Sequence, residues 1–218
     1  MRQKRKVISH AAAAAAILTA ALTAGVAVRA HEGMAPGHSM SNMADMPARQ
    51  AMPGMSIYHL DSDWTMQSGK VTKLGSLRGT PVLAAMIYTH CTDVCPLITE
   101  KMRQIDGALP KGLQNKLKLV LFSMDWKRDD PQQLRTFASQ HRLDLQQWTL
   151  FHGDENAVRE LAAVLGVNFY RSANGDFQHS IAIFLLNSDG VVAAQQIDLN
   201  KSPSEMVTAI RHLLARHR

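Results

Sequence analysis

A chain of 218 residues, 46% of them hydrophobic and 19% charged, is long enough for one compact domain and a tail. The formal charge of +6 invites a nucleic-acid-binding interpretation. However, five of the 24 basic residues lie in the first thirty residues, which hold no acid, so 19 basic and 18 acidic residues remain. This near-neutral remainder excludes nucleic-acid binding through a basic surface.

The N-terminal thirty residues have the pattern of an export signal. A basic stretch over residues 2–6 precedes an uncharged run over residues 11–28, and Val28 and Ala30 fit a cleavage site. The uncharged run of 18 residues is also at the lower limit for crossing a bilayer. Residues 1–30 are therefore predicted to be a cleaved signal peptide or a retained inner-membrane anchor. Both alternatives predict a periplasmic or otherwise extracytoplasmic protein, whose only membrane contact is this segment when uncleaved.

Residues 31–56 have no apolar periodicity and contain three prolines, which predicts a disordered tail. This segment holds six of the twelve methionines of the chain and two of its histidines. Thioether and imidazole groups are ligands for Cu(I), so the composition favours loose copper capture over inert filler. After cleavage behind Ala30, the α-amine and ring of His31 would also be able to chelate Cu(II). The candidate tail ligands are His31, Met34, His38, Met40, Met43, Met46, Met52 and Met55.

Residues 57–218 are predicted to form one folded domain of alternating strands and helices. Continuous apolar runs between turn residues indicate buried strands, and apolar residues at helical spacing behind a proline or a capping acid indicate helices. The order of these elements predicts a thioredoxin-like α/β fold with a central mixed sheet flanked by helices. The predicted elements are strand 80–89, helix 96–109, strand 117–124, helix 131–141, strand 148–151, a helix from the Asp154 cap to Leu165, a hairpin of strands 180–186 and 191–195, and helix 203–214.

The two cysteines of the chain, Cys91 and Cys95, lie at the junction of a predicted strand and helix. Pro96 predicts Cys95 as the helix N-cap, so both sulfurs face the end of the helix whose dipole lowers thiol pKa. Three residues separate the cysteines, where redox enzymes of the thioredoxin type usually have two. This wider loop can close a disulfide, which is the simplest alternative in an exported protein. It can also hold a soft metal, since two thiolates suit Cu(I) and an added imidazole suits both copper oxidation states.

A third ligand is sought among the ten histidines. His90 adjoins Cys91 at a strand end, where successive side chains point in opposite directions. His179 directly precedes a predicted strand, and in a thioredoxin-like domain the loop before that strand lies against the start of the cysteine helix. His179 is therefore expected to be able to reach the two sulfurs, and is preferred to His90. Asp125, at another strand end, is interpreted as part of a turn.

Five segments of the sequence carry a family resemblance: residues 79–83, 88–96, 125–131, 153–154 and 179–180. On these segments the chain resembles the Sco (SenC) family of copper chaperones for cytochrome c oxidase assembly, from about residue 58 to the C-terminus. The resemblance implies copper ligation by the two cysteines and by His179. It also implies a partner, the oxidase subunit with the binuclear copper centre, which would receive copper or have its cysteines reduced.

Three positions depart from the pattern of that family. Thr92 and Trp126 stand where the family usually has proline, and Gln178 stands where it usually has aspartate. An acid beside a ligating histidine helps to fix its tautomer and orientation, so the change at Gln178 is expected to alter copper affinity.

The sequence therefore predicts a copper metallochaperone, for which catalytic turnover is not required. The first alternative is a thiol–disulfide oxidoreductase in which Cys91 and Cys95 are the redox pair and reduce a metalloprotein partner. A redox or copper sensor is a weaker alternative. A peroxidase, which the same fold supports, is disfavoured because the residues before Cys91 do not supply a Thr-x-x-Cys frame.

Overall fold

The computed structural model of the chain describes residues 50–173 and 175–216. The predicted signal segment and most of the predicted tail lie outside these residues. So do the candidate ligands His31, Met34, His38, Met40, Met43 and Met46. In the part of the chain that is described, no helix has the length and apolar character needed to cross a bilayer.

The described residues form an alternating series of strands and helices. The strands are β1 (Asp63–Met66), β2 (Val71–Lys73), β3 (Val82–Ile87), β4 (Lys118–Ser123), β5 (Trp148–Gly153), β6 (Phe169–Arg171), β7 (Phe177–His179), β8 (Ile183–Leu186) and β9 (Val192–Gln196). The α-helices are α1 (Val94–Gly107), α2 (Lys111–Gln114), α3 (Pro131–Gln140), α4 (Glu155–Leu165) and α5 (Ser204–Ala215). Short 3-10 helices cover Ile57–His59 and Leu74–Leu77.

Seven of these strands form one mixed sheet in the order β2-β1-β5-β4-β3-β8-β9. The neighbours β3, β4 and β5 run parallel, and the remaining pairs are antiparallel. Every residue of β3 is buried, as a central strand covered on both faces requires. Helices α1 and α5 pack against the β3–β8–β9 side of the sheet, and α3 and α4 pack against β5. The predicted thioredoxin-like α/β fold is thus confirmed.

The local signals that predicted the helix ends are confirmed at α3 and α4. The Asp130 side chain accepts a hydrogen bond from the Gln133 amide, and Asp154 accepts one from the Ala157 amide. Each acid satisfies a first-turn N–H that has no partner within the helix. Gly166 ends α4 in the left-handed conformation, which a residue without Cβ adopts at low cost.

The prediction of Cys95 as the N-cap of α1 is wrong. The N-cap is Asp93, the helix begins at Val94, and Cys95 and Pro96 lie within the first turn. Proline is tolerated there because first-turn amides lack an intrahelical acceptor, so its missing N–H costs little.

Strands β1 and β2, at one side of the sheet, were not predicted from the sequence, and no regular element was predicted over residues 167–178. These residues contain β6 and most of β7, an antiparallel pair in which Phe169 lies opposite His179. Strands of three or four residues are too short for an alternating pattern to be distinguished from loop sequence. The consequence for the site is that His179 belongs to a strand and β8 begins only at Ile183.

Gly190 is expected to be essential for the turn between β8 and β9. Its φ is +79°, and a Cβ added there would lie 2.6 Å from Tyr58 Cδ2. Gly69 is a matched control, since its φ is +85° but no heavy atom lies within 4 Å of the added Cβ. We expect Gly190→Ala to lower the free energy of unfolding by about 2–4 kcal/mol and Gly69→Ala by about 1 kcal/mol. Equal losses for the two variants in urea denaturation would contradict the steric argument.

Candidate metal centre

The two cysteines meet where β3 leads into α1, at the carboxyl end of the parallel strands. The Cys91 amide donates a hydrogen bond to the Tyr88 carbonyl oxygen at 3.2 Å, which closes the loop. The Cys95 amide donates to Cys91 Sγ at 3.4 Å. Both residues are buried and are not joined to each other. Cys91 therefore lies on the loop before α1 and Cys95 in its first turn, linked by the hydrogen bond from the Cys95 amide.

The environment gives the two thiols opposite properties. A hydrogen bond from the Cys95 thiol lowers the pKa of Cys91 to about 5, helped by the backbone amides of residues 93–95 and opposed by burial. Burial, together with the hydrogen bond and the charge of Cys91, raises the pKa of Cys95. The expectation that the helix end would lower both pKa values is wrong for Cys95, because burial dominates there. At neutral pH the pair holds a thiolate on Cys91 and a proton on Cys95.

This asymmetry is expected to appear in alkylation kinetics. Limiting iodoacetamide at pH 7 should modify Cys91 before Cys95. The Cys91 rate should be almost constant between pH 6 and 8, because a thiol of pKa about 5 is already ionised there. An ordinary thiol would react more than about tenfold faster across this range. Peptide mass spectrometry measures both rates separately in the unaltered chain. A Cys91 rate that rises with pH like that of a free thiol would contradict the assignment.

The imidazole of His179 is buried, with a relative exposure of 5% for the residue. Its Nδ1 lies 3.0 Å from the Ser180 carbonyl oxygen, which can only accept, so Nδ1 carries the proton. Nε2 is then an acceptor with a free lone pair, and it has no hydrogen-bond partner among the described residues. Burial lowers the pKa of His179, so the ring is neutral at neutral pH. A neutral imidazole with a fixed tautomer is the form that binds metals.

Tyr88 connects the histidine to the thiol pair. Its ring contacts that of Phe177 at a centroid distance of 5.4 Å and approaches His179 edge-on at 6.3 Å. Burial, followed by the charge on Cys91, raises the pKa of Tyr88, so its hydroxyl remains a donor beside the Cys91 sulfur. No role for Tyr88 was predicted from the sequence, because no periodic signal distinguishes it from an ordinary strand-end aromatic residue.

The structure places the three predicted ligands in one region without bringing them to bonding geometry. The charge on Cys91 acts on the His179 ring, so the two side chains lie within electrostatic range. The ligand atoms of Cys91, Cys95 and His179 do not all lie within 4.8 Å of one another. Among the described residues, the ligand atoms of His90, Asp125 and Asp129 do lie that close together. Met52 and Met55, predicted as tail ligands, lie on the domain surface.

The cluster of His90, Asp125 and Asp129 is better explained as structural than as a metal site. Asp129 accepts hydrogen bonds from the Thr89 amide at 3.0 Å, the Thr89 hydroxyl at 2.5 Å and the Ser123 hydroxyl at 2.6 Å. The half-exposed His90 ring faces this carboxylate, with its Nδ1 at 3.7 Å. The oxygens of Asp129 therefore already accept several hydrogen bonds. By bonding both Thr89 and Ser123, this carboxylate links the start of the cysteine loop to the end of β4.

Asp125 anchors the hairpin that carries His179. Its fully buried carboxylate forms an ion pair with Arg128 and lies 3.8 Å from Arg171 Nη2 in β6. Arg171 Nε in turn donates to the Gly175 carbonyl oxygen at 3.3 Å, and Arg128 lies 3.8 Å from Asp176. The interpretation of Asp125 as turn chemistry is incomplete: it does accept from the amides of residues 127 and 128, but it also holds the β6–β7 hairpin. The two basic residues flanked by acids over residues 125–130 were the available signal.

Two cysteines placed where a central parallel strand leads into a helix are typical of a thioredoxin-like protein. The sequence profile of the SCO1/SenC family matches residues 56–215, so the chain belongs to that family and the predicted resemblance is confirmed. The SCO1 protein homolog of Bacillus subtilis is 29% identical over 140 residues, which cover 63% of this chain and 72% of that protein.

Solved structures agree with the fold. Yeast Sco1 with copper bound superimposes with a TM-score of 0.61 at 18% identity, covering 78% of this chain and 90% of that chain. BsSco, described with a disulfide switch and as a member of the Sco family of cytochrome c oxidase assembly proteins, gives a TM-score of 0.61 at 24% identity over 75% of this chain and 96% of that chain.

Proposed function

We propose that this protein is an extracytoplasmic copper metallochaperone that holds copper through Cys91, Cys95 and His179. The observation that carries the proposal is the buried Nε2 of His179, an acceptor with no described partner, in the same region as a thiolate–thiol pair. A buried polar atom without a partner is costly unless a ligand satisfies it. Yeast Sco1 binds copper on the same fold, which supports copper as the ligand.

Loading requires one deprotonation and one movement. Cys91 already offers a thiolate, whereas Cys95 must lose its proton, so binding of one copper ion releases about one proton per chain at neutral pH. Ligand atoms on a single ion lie within about 4 Å of one another. Because the three ligand atoms are not all this close here, at least one of the three side chains must move when copper binds.

The proposed recipient is the oxidase subunit with the binuclear copper centre. Support comes from the family, since BsSco is described among cytochrome c oxidase assembly proteins. Transfer would occur by ligand exchange, with cysteines of the recipient replacing Cys91 and Cys95 one at a time. The tail before Gln50, with its methionines and histidines, would collect copper loosely for this centre.

A transfer assay tests the proposal. The chain loaded with Cu(I) is mixed with the reduced, copper-free domain of the recipient, and copper in each protein is measured after separation. We expect most of the copper to move to the recipient, and much less to arrive from a Cys91→Ser/Cys95→Ser chain treated identically, which keeps only the loosely binding methionines and histidines. Copper that stays on the chain, or arrives equally from the double variant, would contradict a chaperone role.

The second candidate is a thiol–disulfide oxidoreductase, favoured by the ionised Cys91 beside a protonated Cys95. Cys91 would attack a partner disulfide to form a mixed disulfide, and Cys95 would then attack Cys91. Its proton passes to the departing partner thiolate, leaving a reduced partner and a Cys91–Cys95 disulfide. Cys95→Ser should trap the mixed disulfide with an oxidised, copper-free recipient. No trapped species, together with copper transfer from the loaded chain, would exclude this alternative.

A further inference from the structure

Residues 52–55, predicted to be part of a disordered tail, form a defined turn on the domain surface. The Met55 amide donates to the Met52 carbonyl oxygen at 3.2 Å, with Pro53 at the second position and Gly54 at φ +72° at the third. Proline followed by a residue of positive φ is the arrangement of a type II β-turn. The two methionines therefore occupy the first and last positions, whose Cα atoms lie within about 7 Å.

Hydrogen bonds to the domain fix this turn on both sides. Before it, the Met52 amide donates to the Val164 carbonyl oxygen in α4 at 3.0 Å, and the Ala51 amide donates to Gln195 Oε1 in β9 at 3.3 Å. After it, Ser56 forms a bridge with Val191. The positions of both methionines are thus set by the fold rather than by the tail.

The two methionine side chains are exposed although the domain has a closed core. Met52 is 44% exposed and Met55 is 45% exposed, whereas Met86, Met102 and Met206 are buried. The described groove beneath Met52 is lined by residues 50–53 and 192–195, which include no acid. Exposed thioethers suit a soft ion such as Cu(I) and not the hard ions Mg²⁺ and Ca²⁺.

We propose that Met52 and Met55 form a second Cu(I) site, preorganised by the turn. This proposal rests on the proposed copper-handling function, because its role is to pass copper from the tail to the metal centre. Gln50, which leads into the turn, lines a groove together with Phe169, and Phe169 is the cross-strand neighbour of His179. Met52 lines the same groove, so the first methionine of the turn shares a surface with the strand that pairs with His179.

Methionine-methyl NMR on the full chain tests the site residue by residue. Cys91→Ser/Cys95→Ser is used so that the thiolates do not take the metal, which separates this test from that of the metal centre. On anaerobic titration with Cu(I), the methyl signals of Met52 and Met55 should shift together and before those of Met34, Met40, Met43 and Met46. Two signals that move no earlier than the tail signals, or that move independently, would overturn the proposal.

Three further variants in the same background separate ligation from general surface effects. Met52→Leu and Met55→Leu should each weaken Cu(I) binding at the remaining methionine by about tenfold or more, because the chelate is lost. Gly54→Ala keeps both thioethers but strains the turn at φ +72°, so it should also weaken binding. Met66→Leu, on β1, should change nothing. An unchanged Gly54→Ala affinity would contradict preorganisation, and an equal loss in Met66→Leu would contradict the site.

Discussion

Replacing Cys91 or Cys95 with serine is expected to weaken copper binding by more than about a hundredfold. Loss of an outer partner of a metal ligand already costs about 10- to 100-fold in affinity, and each substitution here removes a proposed ligand itself. A serine hydroxyl is a harder donor and stays protonated at neutral pH, so it cannot replace a thiolate for Cu(I). Affinity is measured by anaerobic competition with a Cu(I) chelator of known affinity.

Thr92→Ala is the matched control for the cysteine variants. Thr92 lies on the same loop, is exposed and offers no soft donor. Its substitution should leave affinity within about twofold, a change of only ~0.4 kcal/mol. Full copper affinity in either serine variant would show that the tail methionines and not the thiols bind the metal tightly.

Asp125→Asn is expected to have the second largest effect, on both stability and copper binding. The amide can still accept from the amides of residues 127 and 128, but it no longer compensates the charges of Arg128 and Arg171. Both guanidinium groups keep some access to solvent, so we expect a loss of about 2 kcal/mol in unfolding free energy, below the range for a fully buried pair. Asp63→Asn, which removes an exposed ion pair with Lys73, should cost less than about 1 kcal/mol.

The same variant tests whether Asp125 positions His179. With the β6–β7 hairpin less firmly held, copper affinity should fall by about tenfold. In a double-mutant cycle, Asp125→Asn should cause little additional loss in a His179→Ala background, because both changes act on the same ligand. Additive losses would assign Asp125 a purely structural role.

The fold was predictable where local chemistry decides it. Asp130 and Asp154 cap their helices, Gly166 ends α4, and the turn after Asn187 joins two strands, as the sequence indicates. Strands β6 and β7 were not predictable because three residues carry no usable period, and their pairing depends on long-range contacts of Tyr88 and Phe177.

The site was predictable in composition but not in its electrostatics. The spacing of Cys91 and Cys95 indicates a pair, yet the opposite directions of their pKa shifts follow from burial of Cys95, which only the packed structure gives. The role of Asp125 likewise depends on Arg171, a residue 46 positions later in the chain that the fold brings beside it. The turn that holds Met52 and Met55 belongs to the domain because of hydrogen bonds to α4 and β9. These long-range bonds cannot be predicted from the composition of the segment.

The most direct test of the proposed metal centre is a comparison of His179→Ala with the unaltered chain. Both keep the same tail and the same thiols, so any difference reports the imidazole. Each is reduced, loaded anaerobically with copper and examined by chelator competition and copper X-ray absorption. We predict that the variant loses about tenfold or more in affinity, together with the nitrogen neighbour of the copper. Equal affinity and an unchanged copper spectrum in His179→Ala would contradict the three-ligand centre.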